Sequence, residues 1–136
     1  MFSHVTLGAD DLDAAGRFYD ALLTPLGLER REVKPDGGAV GLCWRRPGER
    51  RPWFFVFRPF DGRPAGAGNG TMVAFLAPSE EAVRRSYAAA MAAGGRCEGP
   101  PGERPHYAPG YYGAYLRDPQ GNKAHVVYRG DLAAAG

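Results

Sequence analysis

The sequence predicts an α+β fold made of two βαβββ modules that face one another around a cleft, and three observations carry that expectation. An alternating stretch leads into a capped amphipathic helix and then into further strand-like runs. The same series restarts after a shift of 68 residues. The chain then closes on a hairpin, Tyr111 to Arg129, in which runs rich in β-branched and aromatic residues flank Asp118-Pro119-Gln120-Gly121-Asn122. Proline presets φ in that turn and glycine supplies the positive φ it needs.

Taken in order, Phe2 to Leu7 alternates polar and apolar and reads as a strand. Asp10 or Asp11 caps a helix whose apolar residues Leu12, Ala15, Tyr19, Leu22 and Leu26 recur at steps of three and four, and Gly27 ends it. Leu28 to Val33 and Ala39 to Trp44 are strands joined by the turn Lys34 to Gly38; a basic loop, Arg45 to Arg51, reads as a solvated hairpin tip before a fourth strand, Trp53 to Arg58. Phe60 to Gly70 has no periodicity and is a connector. Thr71 to Ala77 restarts the series as a strand. Ser79 then caps a helix with Glu80 and Glu81 in its first turn, Val83, Tyr87, Ala90 and Met91 as its stripe, and Gly94-Gly95 as its stop. Gly102 to Tyr112 reads as a long aromatic-rich loop, and Arg117 beside Asp118 as a surface turn pair.

At the shift of 68, His4-Val5 falls on Met72-Val73, Asp11 on Ser79, Tyr19 on Tyr87, Gly27 on Gly95 and Phe57 on His125. One such match would be noise, whereas a run joining cap to cap and stop to stop marks a duplication. The whole chain, 1–136, therefore reads as one domain, with module 1 over 1–60 and module 2 over 70–130. Neither four-stranded sheet can bury its second face alone, so the helices cover one face of each and the other faces turn toward a shared cleft, closed within one chain or by exchange between two.

Composition sets the outer bounds. With 136 residues, 44% of them hydrophobic, the chain is long enough to bury a core without disulfides or structural metal. A formal charge of +2 gives no field that argues for nucleic acid, and no run approaches a membrane span. Cys43 and Cys97 are far apart, with no CxxC and no secretory leader, so free thiols and a cytoplasmic location are expected.

The opening HVTLGADDLDAAGRFYDALLTPLGLE, the restart GNGTMVAFLAPSEEAV, the segment PHYAPGYYGAYLRDPQGN and the paired modules resemble the vicinal oxygen chelate superfamily. That superfamily includes glyoxalase I, bleomycin-resistance proteins and ring-cleaving extradiol dioxygenases. The likeness covers nearly the whole chain and implies a small-molecule ligand and a homodimer. It also implies one divalent metal ion (Zn, Ni, Fe or Mn), held by the first and last strands of each module. Carried onto this sequence, those positions are His4, a residue at or next to Phe57, Met72 and His125. The pattern departs after His4, since the family commonly has histidine where Met72 stands, glutamate where His125 stands, and often a carboxylate at Phe57. With two imidazoles, a soft thioether and no Asp or Glu, the set falls short of what a catalytic site for these metals requires, and no cofactor is the expected state.

Each candidate has a second, plainer reading. His4 and His125 are metal ligands or cavity histidines bonded to backbone or tyrosine, and Met72 is cavity packing. Tyr115 is placed like the active-site tyrosine of the ring-cleaving enzymes and pairs with His125 as the catalytic candidate, or else simply fills the β-core. Trp53, Phe55 and Phe57 line the pocket or pack as core, and His106 and Tyr107 sit at the tip of a lid or of a loop over the sheet edge. Two functions follow. One is a protein that binds a small aromatic or apolar molecule with its metal site incomplete. The other is a metal-dependent lyase, isomerase or ring-cleaving dioxygenase using His4, His125 and Tyr115. In the first, Tyr115 and His125 face a solvated cleft and are dispensable for stability.

Overall fold

The computed structural model describes residues 1–133, and residues 134–136 of the expected domain lie outside the described residues. Two four-stranded mixed sheets are each served by one helix, in the order β1 (His4–Gly8), α1 (Leu12–Leu23), β2 (Glu29–Arg31), β3 (Gly41–Arg45), β4 (Trp53–Phe57), then β5 (Met72–Leu76), α2 (Glu80–Ala92), β6 (Arg96–Glu103), β7 (Tyr111–Arg117) and β8 (Lys123–Arg129). A single turn, α3 (Gly130–Ala133), follows. The strand orders are β1-β4-β3-β2 and β5-β8-β7-β6, with the outer pairs β1·β4 and β5·β8 parallel and the rest antiparallel. The duplicated α+β architecture is therefore present.

Both helices start where their caps dictate. Asp11 and Ser79 have extended backbones, and their side chains accept hydrogen bonds from the amides of Ala14 and Ala82, each at 3.0 Å. α1 gives way to a tight turn over Thr24–Leu26, where Pro25 has no amide to donate, before stopping at Gly27.

Three sequence readings are corrected. β2 is only Glu29–Arg31, and β3 begins at Gly41. Gly102 and Glu103, expected in a loop, pair with Gly113 and Tyr112 as the end of β6, so that loop spans only 104–110. β6 carries Pro100 and Pro101 at the sheet edge, where missing amide donors are tolerated, and its register shifts there. The third correction concerns the turn after β7. Asp118 is buried and does not pair with Arg117, whose guanidinium reaches Glu98 at 2.9 Å.

The Asp118 carboxylate ties the modules together. Tyr19 Oη, from α1, donates to Asp118 Oδ2 at 2.7 Å, while the amides of Gln120 and Asn122 and the Asn122 side chain donate to the same carboxylate. The Asn122 amide also donates to the Gly8 carbonyl at 2.9 Å, and Ser86 Oγ donates to the Leu22 carbonyl at 2.6 Å. Around these bonds the helix-side faces share one core, with Phe54 and Phe75 meeting edge to face at 5.1 Å across the module boundary. The connector is pinned as well, because Ala65 donates its amide to Asp10 and accepts from Gln120.

Candidate functional site

Alternation decides what the other face of each sheet presents. On β4, Phe54 and Val56 are buried against the helices, which leaves Trp53, Phe55 and Phe57 half-buried on the opposite side. Their rings form a stacked ladder with centroid separations of 5.9 and 5.4 Å. His4 and Thr6 on β1 join this face, and the His4 ring meets Phe55 edge-on at 5.5 Å. Ser3 Oγ occupies His4 Nδ1 at 2.9 Å. The resulting open cavity of about 530 Å³ is lined by Ser3, His4, Thr6, Arg50, Arg51, Trp53, Phe55 and Phe57, all from module 1. Of the two closures open to the shared cleft, within one chain or between two, the one within a single chain is not formed at His4. Where the modules abut, a separate apolar seam of about 450 Å³ runs between Phe2, Val5 and Phe54 on one side and Met72 to Phe75 on the other.

On the second sheet the same face carries Tyr111, Gly113 and Tyr115 from β7 and His125 from β8. A β-carbon at Gly113 would stand 2.6 Å from His125 Cε1, so the bare backbone there is what lets the imidazole lie across β7 between the two tyrosines. It stacks on Tyr115 at 4.0 Å and 7°, and on Tyr111 at 5.8 Å and 18°. His125 is 1% exposed and both of its nitrogens are engaged. Nδ1 lies 2.9 Å from the Ala114 carbonyl, which can only accept, so Nδ1 carries the proton and Nε2 accepts from Tyr111 Oη at 2.7 Å. Burial holds the His125 pKa below the usual imidazole range, and the charges of Arg104 and Lys123 add to that, against the pull of the Ala114 bond. Burial also pushes Tyr115 up to about 12, with Tyr107 contributing. Tyr107 packs against Tyr111 at 5.2 Å and His106 against Tyr107 at 4.2 Å, so the loop that holds them extends the tyrosine stack.

The register revises which residues correspond. Thr6 pairs with Phe55 and Ala74 with His125, and Thr6 and Ala74 are themselves 68 apart. The residue equivalent to His125 is therefore Phe55 and not Phe57, because the longer α2, β6 and β7 of module 2 outweigh its shorter loops and add two residues before its last strand.

A divalent metal at the four family positions does not fit these side chains. Phe55 and Phe57 have no donor atom, Met72 offers a 41%-exposed thioether, and His125 has spent both nitrogens on Tyr111 and Ala114. Only His4 Nε2 is left to ligate. Among the described residues there is no group of three or more His, Cys, Asp or Glu side chains able to hold a metal ion.

Arginines are the members that sequence reasoning missed. Arg45 to Arg51, read as a solvated tip, places Arg50 and Arg51 in the cavity wall and lays the Arg45 guanidinium 4.7 Å from the Trp53 ring centroid. The signal was present in the alternation, since Arg45 shares a face with Cys43 at the end of β3. Burial pushes the Cys43 thiol up to about 11 even against the opposing charges of Arg45 and Arg31.

The model of the Glyoxalase/Bleomycin resistance protein/Dioxygenase superfamily matches residues 1–126. A glyoxalase/bleomycin resistance protein from Albidiferax ferrireducens T118 is 41% identical, with 95% of this chain and 98% of that one covered and a TM-score of 0.79. A lactoylglutathione lyase from Agrobacterium tumefaciens is 26% identical over 97% and 95% of the two chains, with a TM-score of 0.63. A glyoxylase/bleomycin resistance protein/dioxygenase domain from Frankia sp. EAN1pec, 18% identical over 94% and 96% with a TM-score of 0.71, shares the fold. No match was found among curated proteins. With its two βαβββ modules and a family match over most of its length, the chain belongs to the Glyoxalase/Bleomycin resistance protein/Dioxygenase superfamily.

Proposed function

We propose that this protein binds a small molecule with aromatic or apolar parts on the open face of its first sheet, without depending on a metal ion. The observation that carries this reading is the Trp53–Phe55–Phe57 ladder with His4 at its edge. These are large rings set on the side of the sheet away from the helices, where packing of the core does not use them. Stacking on such a floor is worth about 0.5–1.5 kcal/mol per aromatic pair beyond the area buried. Met72, Tyr115 and His125 on the second sheet, with His106 and Tyr107 on the loop between β6 and β7, would supply the opposite wall of a cleft.

A second copy of the chain is the source of that wall in this reading. Phe2, Leu76 and Met72 stand 75%, 57% and 41% exposed around the seam, as side chains waiting for cover do.

The alternative, a divalent-metal-dependent lyase, isomerase or ring-cleaving dioxygenase, draws on His4 and on the likeness to a lactoylglutathione lyase. It would require His125 to give up the Tyr111 bond. Titration with neutral 1-naphthamide tests the first reading: tryptophan fluorescence should be quenched saturably in the wild type and not in Phe55→Ala. Added Zn²⁺ or Ni²⁺ should leave Tm unchanged, whereas a tight site would stabilise by about 2.7 kcal/mol at a hundredfold excess over Kd. A metal-induced rise of that size, abolished in His4→Ala, would establish the alternative.

A further inference from the structure

We infer that the ligand of this face is an aromatic carboxylate, an inference that rests on the aromatic-pocket reading and adds the sign of the ligand's charge. Arg45, Arg50 and Arg51 surround Trp53. Arg45 stacks on its ring, while Arg50 and Arg51 line the cavity beside it. None of the three is in an ion pair among the described residues, where the arginines that do pair are Arg30, Arg46, Arg117 and Arg129. The cavity wall contains no Asp or Glu. Glu29 stands opposite Arg45 in the strand register without forming an ion pair with it, and Glu49 is engaged by Arg46.

Arg45 supplies a separate pointer. Its Nε is covered by neighbouring atoms and bonded to none of them, so the guanidinium has lost water on that edge and gained no acceptor. The loss at Nε is uncompensated within the chain, and the terminal nitrogens, which are not covered, stay open to an acceptor; a planar carboxylate presents two oxygens for a guanidinium to bind. A ring on Phe55 and Phe57 whose carboxylate is directed along β4 toward Trp53 would meet the arginines. The second sheet repeats the arrangement: Arg104, bonded among the described residues only to the carbonyls of Glu103 and Pro100, and Lys123 stand 5.9 and 5.2 Å from the Tyr115 ring. Cations line both open faces.

Three naphthalenes of matched shape and different charge, 1-naphthoate, 1-naphthamide and 1-naphthylmethylammonium, separate the possibilities by calorimetry on the full chain at pH 7. The expected result is that the carboxylate binds at least tenfold more tightly than the amide, and the ammonium more weakly than the amide. The carboxylate advantage should shrink with added salt and disappear in Arg45→Met and in the double variant Arg50→Gln/Arg51→Gln. The wild-type series needs no variant to fold, so it stands even if Arg45→Met is unstable. Equal affinities for all three probes would overturn the carboxylate assignment and leave the aromatic pocket standing. Failure of all three to bind would overturn both.

Discussion

Replacing Tyr19 with phenylalanine removes one oxygen from the centre of the molecule. The ring keeps its neighbours, Phe18 at 4.8 Å, Phe54 at 4.9 Å and Trp44 at 5.6 Å, so packing is retained and the loss is the 2.7 Å bond to Asp118. A hydrogen bond to a charged group contributes about 1.5–3 kcal/mol. Asp118 keeps three other donors, from Gln120 and Asn122, which places the loss near the lower bound. Tyr19→Ala adds the cavity, about 3–5 kcal/mol for an aromatic truncation. Urea denaturation, with a slope of about 1–3 kcal/mol per M, should therefore show a midpoint lowered by about 0.5–1.5 M for Phe and at least twice that for Ala. The alkaline limb gives a second reading of the same bond. Burial, then the Asp118 charge and hydrogen bond, raise the Tyr19 pKa well above its ordinary value of 10.0. The folded chain thus keeps a phenolic proton that the unfolded chain releases. Stability from this group is complete below pH 10 and falls as pH rises beyond it, by up to about 1.4 kcal/mol per pH unit. Tyr19→Phe should flatten that fall by one proton, with the contributions of Cys43 and Tyr115 remaining in both proteins. An unchanged midpoint together with an unchanged alkaline slope would refute the assignment of Asp118 as the tie between modules.

His125→Ala should be destabilising, by about 2–4 kcal/mol in a urea titration, because it empties a stacked, buried site and leaves the Ala114 carbonyl without its donor. Since the folded pKa of His125 is depressed, its contribution is present above pH 6.5 and is lost as pH falls, so the acid limb of the wild type should be steeper than that of His125→Gln. Gly113→Ala should cost about 1–3 kcal/mol, because its β-carbon meets both the imidazole and the Val126 carbonyl, and near-ultraviolet circular dichroism should report the disturbed tyrosine stack. Light scattering at high micromolar concentration should give a dimer mass, and a monomer would remove the second wall from the proposed cleft.

Much of this architecture is written locally, which is why it could be read in advance. Asp11 and Ser79 act on amides three residues away, and the helix stripes need only their own spacing, so caps, helices and the restart at 68 were legible. What depended on distant partners was not. β6 hides because Pro100 and Pro101 look like loop residues until an edge position excuses them. The correspondence of His125 with Phe55 needed the pairing register, since the offset drifts from 68 to 70 along the module. His125 itself was rightly placed on the face with Tyr115, yet it does not face solvent, which removes the ground for expecting that it could be deleted without loss. Nothing in a sequence says that Gly113 will be filled by a ring from the next strand.

The Asp118 junction bears on how the molecule comes apart. Its carboxylate belongs to the last turn of module 2, while its phenol donor belongs to the first helix of module 1; Ser86 sends a bond the other way, from α2 to the end of α1. Opening either half would strand a buried polar group in the other and uncover the Phe54–Phe75 contact. The duplication is therefore expected to melt as one unit. Hydrogen exchange should find the amides of α1 and α2 opening together, in a single global event.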